Sequence, residues 1–175
     1  MSASTQIFLR MNAISGGLIK GEAFAEGYLG QIEIDSFTWG MSAKEGLRTA
    51  SKINAVTQMN YDKLSLQKVY DRSSPSLAEH MTKNFKFKDI TVTVDHLENR
   101  SGSFISATPV VVIELSNVFI ESIKIAATEG DKSVAVRETV ELSYTGLTLI
   151  YVPYETGARH RRLAAVTFFG KKEPS

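Results

Sequence analysis

The sequence predicts a mainly β fold, an antiparallel barrel or sandwich of about nine strands with one short flanking helix at about residues 75–84. Three observations carry this. Apolar and polar residues alternate with the two-residue period of a strand along most of the chain. The run 110–115 (Val-Val-Val-Ile-Glu-Leu) is almost wholly apolar and reads as a central strand buried on both faces. Helical start signals occur at a single place, so the repeating strand–helix units of a parallel sheet are missing.

In order, Ile7, Leu9 and Met11 alternate with Phe8 and Arg10 in a first strand. A Gly-rich connection through Gly16, Gly17, Gly21 and Gly27 leads to a second strand from about Tyr28. There Ile32, Ile34, Ser36 and Thr38 alternate with Glu33, Asp35, Phe37 and Trp39. One side changes from an Ile pair to a hydroxyl pair, the other from carboxylates to aromatics. Such a strand meets different neighbours at its two ends. Residues 41–51 form a loop of mixed polarity, of the length that in compact domains usually serves an interaction. A short segment at 53–59 follows.

Ser74 is a natural N-cap, Pro75 suits the first helical position, and Leu77, His80 and Met81 form an apolar stripe. Ile90, Val92 and Val94 then oppose Thr91, Thr93 and Asp95. Between residues 118 and 126 the alternation slips by one, which places a β-bulge near Glu121-Ser122. Val140, Leu142 and Tyr144 point inward from a strand whose Thr139, Glu141, Ser143 and Thr145 point outward. Gly146 turns it into residues 147–151, ended by Pro153, and a basic loop at 159–162 precedes a last apolar strand at 163–169.

Residues 1–175 read as a single domain, with 1–5 and 171–175 as disordered ends. With 43% hydrophobic and 22% charged residues the chain is globular, and a net charge of +1 argues against a nucleic-acid partner. The absence of cysteine excludes disulfides and thiolate chemistry. No signal peptide and no membrane span are expected, so export would be signal-independent.

Catalytic signatures are absent: no Gly-x-Ser-x-Gly elbow, His-Glu-x-x-His, Walker loop or dinucleotide fingerprint. His80, His96 and His160 are isolated, and Asp95 and His96 point to opposite faces of a strand. Neither a metal nor another cofactor is expected. Glu33 and Asp35 share a strand face at a Cα separation of roughly 6.5–7 Å, a spacing open to acid–base work but commoner among solvated ion-pairing residues. Arg159, His160, Arg161 and Arg162 read as a solvated loop or a contact to an acidic neighbour. Hydroxyls recur on strand faces at Ser36, Thr38, Thr91, Thr93, Thr139, Ser143, Thr145 and Thr148, suiting either a wet channel or plain solvent-facing sheet.

Five motifs in order carry a resemblance. They are Lys20-Gly21-Glu22; Thr38-Trp39-Gly40-Met41-Ser42 after an acidic Ile-rich strand; Leu66-Gln67-Lys68-Val69-Tyr70-Asp71-Arg72-Ser73-Ser74-Pro75-Ser76-Leu77; Glu114 to Ile123; and Glu138 to Tyr144. Over roughly Thr5 to Pro153 the chain resembles the Hcp family, inner-tube subunits of the bacterial type VI secretion system. The segment 159–175 is longer and more basic than the family pattern.

The resemblance implies a non-enzymatic β-barrel whose homohexameric rings stack into a tube. That tube would sit within a contractile sheath, under a spike protein, and carry small effectors in its lumen. It also implies a Gram-negative source, with the protein cytoplasmic before firing and secreted afterwards. Under it, Ser36 and Thr38 are lumen-facing and Trp39 is a packing anchor. Met41, Ser42, Lys44, Glu45, Leu47 and Arg48 are candidates for contacts between subunits or rings. The alternatives are a phage-like tail-tube subunit, a monomeric lectin-like sandwich with a pocket around Tyr28, Trp39 and Tyr151, and a hydrolase using Glu33 and Asp35.

Overall fold

The protein is described from a computed structural model covering residues 3–43, 59–100, 103–129, 134–152 and 163–169. Its elements are β1 (Ala3–Ala13), β2 (Gly17–Leu18), β3 (Ile32–Ile34), β4 (Ser36–Thr38), β5 (Met41–Ala43), β6 (Met59–Tyr61), β7 (Leu64–Val69), α1 (Ser74–Thr82), β8 (Phe87–Arg100), β9 (Ser103–Glu129), β10 (Val134–Ser143), β11 (Gly146–Tyr151) and β12 (Leu163–Phe169). The mainly β, antiparallel architecture with one short helix is as the alternation predicts. The strand path runs β2-β1-β8-β9-β10-β7-β4 and does not close into a barrel. β3 joins it beside β1, and β11 and β12 extend it beside β9.

β9 makes the sandwich, because it belongs to both layers. Its first part pairs with β8 and β11, and residues 119–129 pair with β10. The chain turns between layers at Asn117, whose φ of 51° lies in the left-handed region that Asn tolerates. The Asn117 side chain donates to Thr145 Oγ1 at 2.9 Å, where β10 gives way to β11. Just beyond, Ile120 faces Leu142 and Ser122 faces Glu141, which leaves Glu121 as the extra residue of a bulge where the pattern slips.

The opposite margin of the sandwich is the segment 32–38. The single strand expected there is two, split at Asp35: β3 pairs with β1, and β4 pairs with β7 in the other layer. Asp35 donates its N–H to Gln67 O at 2.8 Å, and its carboxylate pairs with Arg137, so the break is held from the second layer. A strand whose two faces exchange character therefore does meet two sets of neighbours. Ile32 and Ile34 point into the core, whereas Ser36 and Thr38 are exposed and Phe37 packs inward.

The main core lies between the layers and includes Leu9, Met11, Ile32, Leu64, Leu66 and Leu142. A second cluster lies outside the first layer, where Phe8 is buried with Ala23, Ala25, Tyr28 and Leu97. The Gly-rich connection forms this cover. Gly21 donates to Gly30 O at 2.8 Å, and a Cβ at Gly21 would meet Gln31 O at 2.3 Å, so only glycine permits the approach. Val112 and Ile113 fall in different clusters, as a strand buried on both faces requires.

The helix is shifted and its stripe shortened relative to expectation. Ser73, not Ser74, occupies the N-cap, and Leu77 is buried while Met81 is exposed. Asn84, at a φ of 51°, ends the segment one turn past His80, so Met81 lies on a terminal turn facing solvent.

Candidate functional site

The outer face of the second layer is built by register. Ser36, Gln67, Thr139 and Lys124 form one cross-strand row, and Thr38, Ser65, Glu141 and Ser122 the next. Ser36 Oγ donates to Gln67 Oε1 at 3.4 Å and Ser122 Oγ to Glu141 Oε2 at 2.8 Å. Lys124 and Glu141 put one charge of each sign on these rows, and two ion pairs flank them. Asp35 pairs with Arg137, and Lys63 lies 3.9 Å from Glu121. The result is a polar, electrically balanced surface with little to trap a passing protein.

This layer is bounded by two different open edges. Among the described residues, β4 pairs only with β7, and residues 119–129 of β9 pair only with β10. Unpaired edges are templates for another strand.

Trp39 closes one end of the face. It packs against the main core and donates from Nε1 to Tyr144 OH at 2.5 Å, which donates to Asp62 O at 2.7 Å. Burial pushes the Tyr144 phenol above its ordinary value, more than the Trp39 hydrogen bond lowers it. Gly40 O accepts from Asp62 N at 3.0 Å, and a Cβ at Gly40 would lie 2.8 Å from Asp62 Oδ2. The Trp-Gly pair thus anchors the small β5–β6 sheet, on which Met41 and Ser42 are exposed. Lys44, Glu45, Leu47 and Arg48 lie outside the described residues, as do Arg159, His160, Arg161 and Arg162.

The strongest electrostatic feature is one that the sequence reading quoted only as letters in a motif. Lys68, fully buried, donates from Nζ to Glu138 Oε1 at 2.6 Å, Asp71 Oδ1 at 2.8 Å, Ser74 Oγ at 3.1 Å and Val69 O at 2.9 Å. Ser74 Oγ donates in turn to Glu138 Oε1 at 2.6 Å. Burial would raise the Asp71 pKa, but hydrogen bonds from Lys68 and Ser73 and the Lys68 charge outweigh it and hold the carboxyl below its ordinary value. Two signals were available. Lys68 is in phase with buried Leu64 and Leu66, and Glu138 with buried Val140 and Leu142. This knot ties the start of α1 to the second layer.

The other candidates separate. The hydrolase reading requires a carboxylate pair with a raised pKa. Glu33 is raised, by burial and then by Asp71, Glu22 and Asp35, but Asp35 is held by Arg137 on the far side of the strand break. Tyr28 stacks on Phe8 at 4.1 Å and donates to the buried Asp95, while Trp39 packs against the other core and Tyr151 is exposed. These aromatics line no common pocket. Asp95 and His96 diverge as strand geometry demands: His96 Nδ1 is 2.8 Å from Thr5 Oγ1 instead. His80 stacks on Phe87 at 5.2 Å, its Nδ1 2.7 Å from Ser76 O. Among the described residues no three metal-ligating side chains gather, and no helix is long and apolar enough to cross a membrane.

Solved structures with this arrangement define its class. A protein described as a type six secretion system protein matches with a TM-score of 0.71 at 16% identity, over 91% of this chain and 92% of that one. Hcp1 from Salmonella typhimurium matches at 0.65 and 18%, over 91% and 92%. The secreted protein Hcp3 from Pseudomonas aeruginosa matches at 0.62 and 15%, over 97% and 100%. The fold is therefore that of type VI secretion proteins. No curated protein sequence matches the chain. The family model described as type VI secretion system effector, Hcp, matches residues 8–151, and the chain belongs to that family.

Proposed function

We propose that this protein is a tube-forming subunit: six copies close into a ring, and rings stack into the tube that type VI secretion expels into a target cell. The observation that carries this is the second layer, a charge-balanced hydroxyl face bounded by two unlike open edges. Cyclic rings use heterologous interfaces, which need two different surfaces on each subunit. Joining the β4 edge of one copy to the β9 edge of the next continues the sheet and leaves its hydroxyl face lining a channel. Ser36 and Thr38 then face the lumen, where small effector proteins ride without being trapped. The exposed Met41 and Ser42 on the β5–β6 sheet extend towards a neighbouring copy. A spike protein at the tip and a contractile sheath around the tube complete the assembly. The subunit is made in the cytoplasm of a Gram-negative cell, is secreted with the tube and catalyses no step.

Negative-stain microscopy with a solution mass on the same sample tests the ring. Annular particles with the mass of six 19.3 kDa chains, about 116 kDa, are expected. A monomer at every concentration sinks the reading.

A further inference from the structure

The outer face of the first layer changes character along its strands. Phe8, Val112 and Ile150 lie on one cross-strand row and all three are buried, Phe8 beneath the cover at Tyr28. The rows beyond it are polar. Thr91, Glu114 and Thr148 form the next, and Asp89, Ser116 and Gly146 the one after. These two rows line a groove of about 390 Å³. Asp89 and Glu114 are half-buried in it and Ser116 is exposed. Asp89 is held from the far side, where Asn12 Nδ2 donates to Oδ2 at 3.1 Å and Arg10 lies 3.7 Å from Oδ1. Two carboxylates against one guanidinium leave the groove acidic.

Register also says which part of the chain arrives there. β12 runs antiparallel to β11 and its last residue, Phe169, faces Gly146. The strand therefore releases the chain at the end of the Gly146–Ser116–Asp89 row. Gly170, Lys171 and Lys172 follow, outside the described residues. Glycine permits the sharp turn that a return across the row requires. Strands lie roughly 4.8 Å apart, so Ser116 is roughly 10 Å from Phe169 and Asp89 roughly 14 Å. Three extended residues cover about 10 Å, and the four-carbon lysine stem covers the rest.

We propose that residues 170–172 fold back across Gly146 and Ser116 of the same chain and seat Lys171 and Lys172 beside Glu114 and Asp89. This strap covers the polar part of the face, as the Tyr28 cover roofs the apolar part. It is made within one copy and stands whether or not rings form.

The chain has no cysteine, so introduced thiols report on this contact alone. The probe is a variant carrying both Ser116→Cys and Lys171→Cys, in which Lys172 remains to draw the segment in. Docking brings the two Cα atoms within the roughly 4.4–6.8 Å that a disulfide spans. Oxidation with copper–phenanthroline is expected to give a monomer band on a non-reducing denaturing gel, with no titratable thiol left. Closure should slow about two- to tenfold in 1 M salt, where the Debye length falls to about 3 Å, and equally when Asp89→Asn and Glu114→Gln are added. Closure indifferent to both means that the segment meets Ser116 by tethering alone, which overturns the docking. Failure to close also overturns it. Linked dimers would put a second copy's segment in the groove and overturn the assignment to the same chain.

Discussion

On the outer face of the first layer Phe8 is wholly buried, roofed by Tyr28 and the glycine-built connection, whereas on the second layer Ser36 and Thr38 stand exposed in rows of hydroxyls. The same strand geometry has been finished in opposite ways. The first layer is capped by apolar packing and a hydrogen bond from Tyr28 to a buried Asp95. The second is tied to the helix by the buried Lys68 knot and left bare outside. A face left bare while its twin is covered is a face available to something beyond the chain.

The largest effects test how each layer is held. Lys68→Met leaves Glu138 and Asp71 without their cation and costs about 3–5 kcal/mol by denaturant unfolding. Adding Glu138→Leu recovers part of that loss, because the stranded charge goes with it. A fully additive double variant would refute the knot. Tyr28→Phe removes one donor from the buried Asp95 and costs about 1–3 kcal/mol, with ring mass unchanged. A loss as large as that of Lys68→Met would make the cap and the knot equals.

Acidity separates the layers by sign. Asp71, in the second layer's knot, has a folded-state value below its ordinary 3.8. Its stabilisation is present above that pH and is lost as pH falls through the folded value. Glu33, on β3 beside β1, is raised above 4.5, chiefly by burial. Its contribution is present below 4.5 and is lost as pH rises through the folded value. Asp71→Asn is therefore destabilising at neutral pH, with a deficit that narrows in acid. Glu33→Gln is stabilising at neutral pH by less than about 1 kcal/mol, since the group is largely exposed, and is neutral below pH 4.5. Urea midpoints across that range decide both, and parallel curves for the two variants would contradict the assignment.

These contrasts show where the sequence was readable. Alternation marked most strands and even the bulge at Glu121, because a one-residue slip of period two is visible in the letters. The face exchange at residues 32–38 was visible too, but not its cause, since Asp35 breaks the strand to meet Arg137, distant in sequence. The Lys68 knot was missed because composition places lysine outside. Only its phase with Leu64 and Leu66 says otherwise. The cap over Phe8 was illegible: that Gly21 lies against Gln31 depends on a turn closed between them, which no local pattern announces.

The smallest effect on stability tests the bare face itself. Thr38 is exposed opposite Ser65, with Glu141 the next residue in the row, and the charges on and beside its face, Lys124 with Glu141 and two flanking ion pairs, sum to no net charge. Thr38→Arg adds an unmatched cation and a long side chain without touching the core. Stability should stay within about 0.5 kcal/mol of wild type, as for ordinary surface changes. Ring mass should also stay the same, because a sheet edge joins through its backbone and the Thr38 side chain stands on the face of β4, not along its edge. In a closed ring the change is repeated in every subunit around the channel, so bulk and charge narrow it from all sides at once. Co-purification of a small effector with the ring is the readout. Its loss with fold and ring intact places the hydroxyl face in the lumen. Undiminished co-purification would put that face on the outside, and with it the difference between the layers would need another explanation.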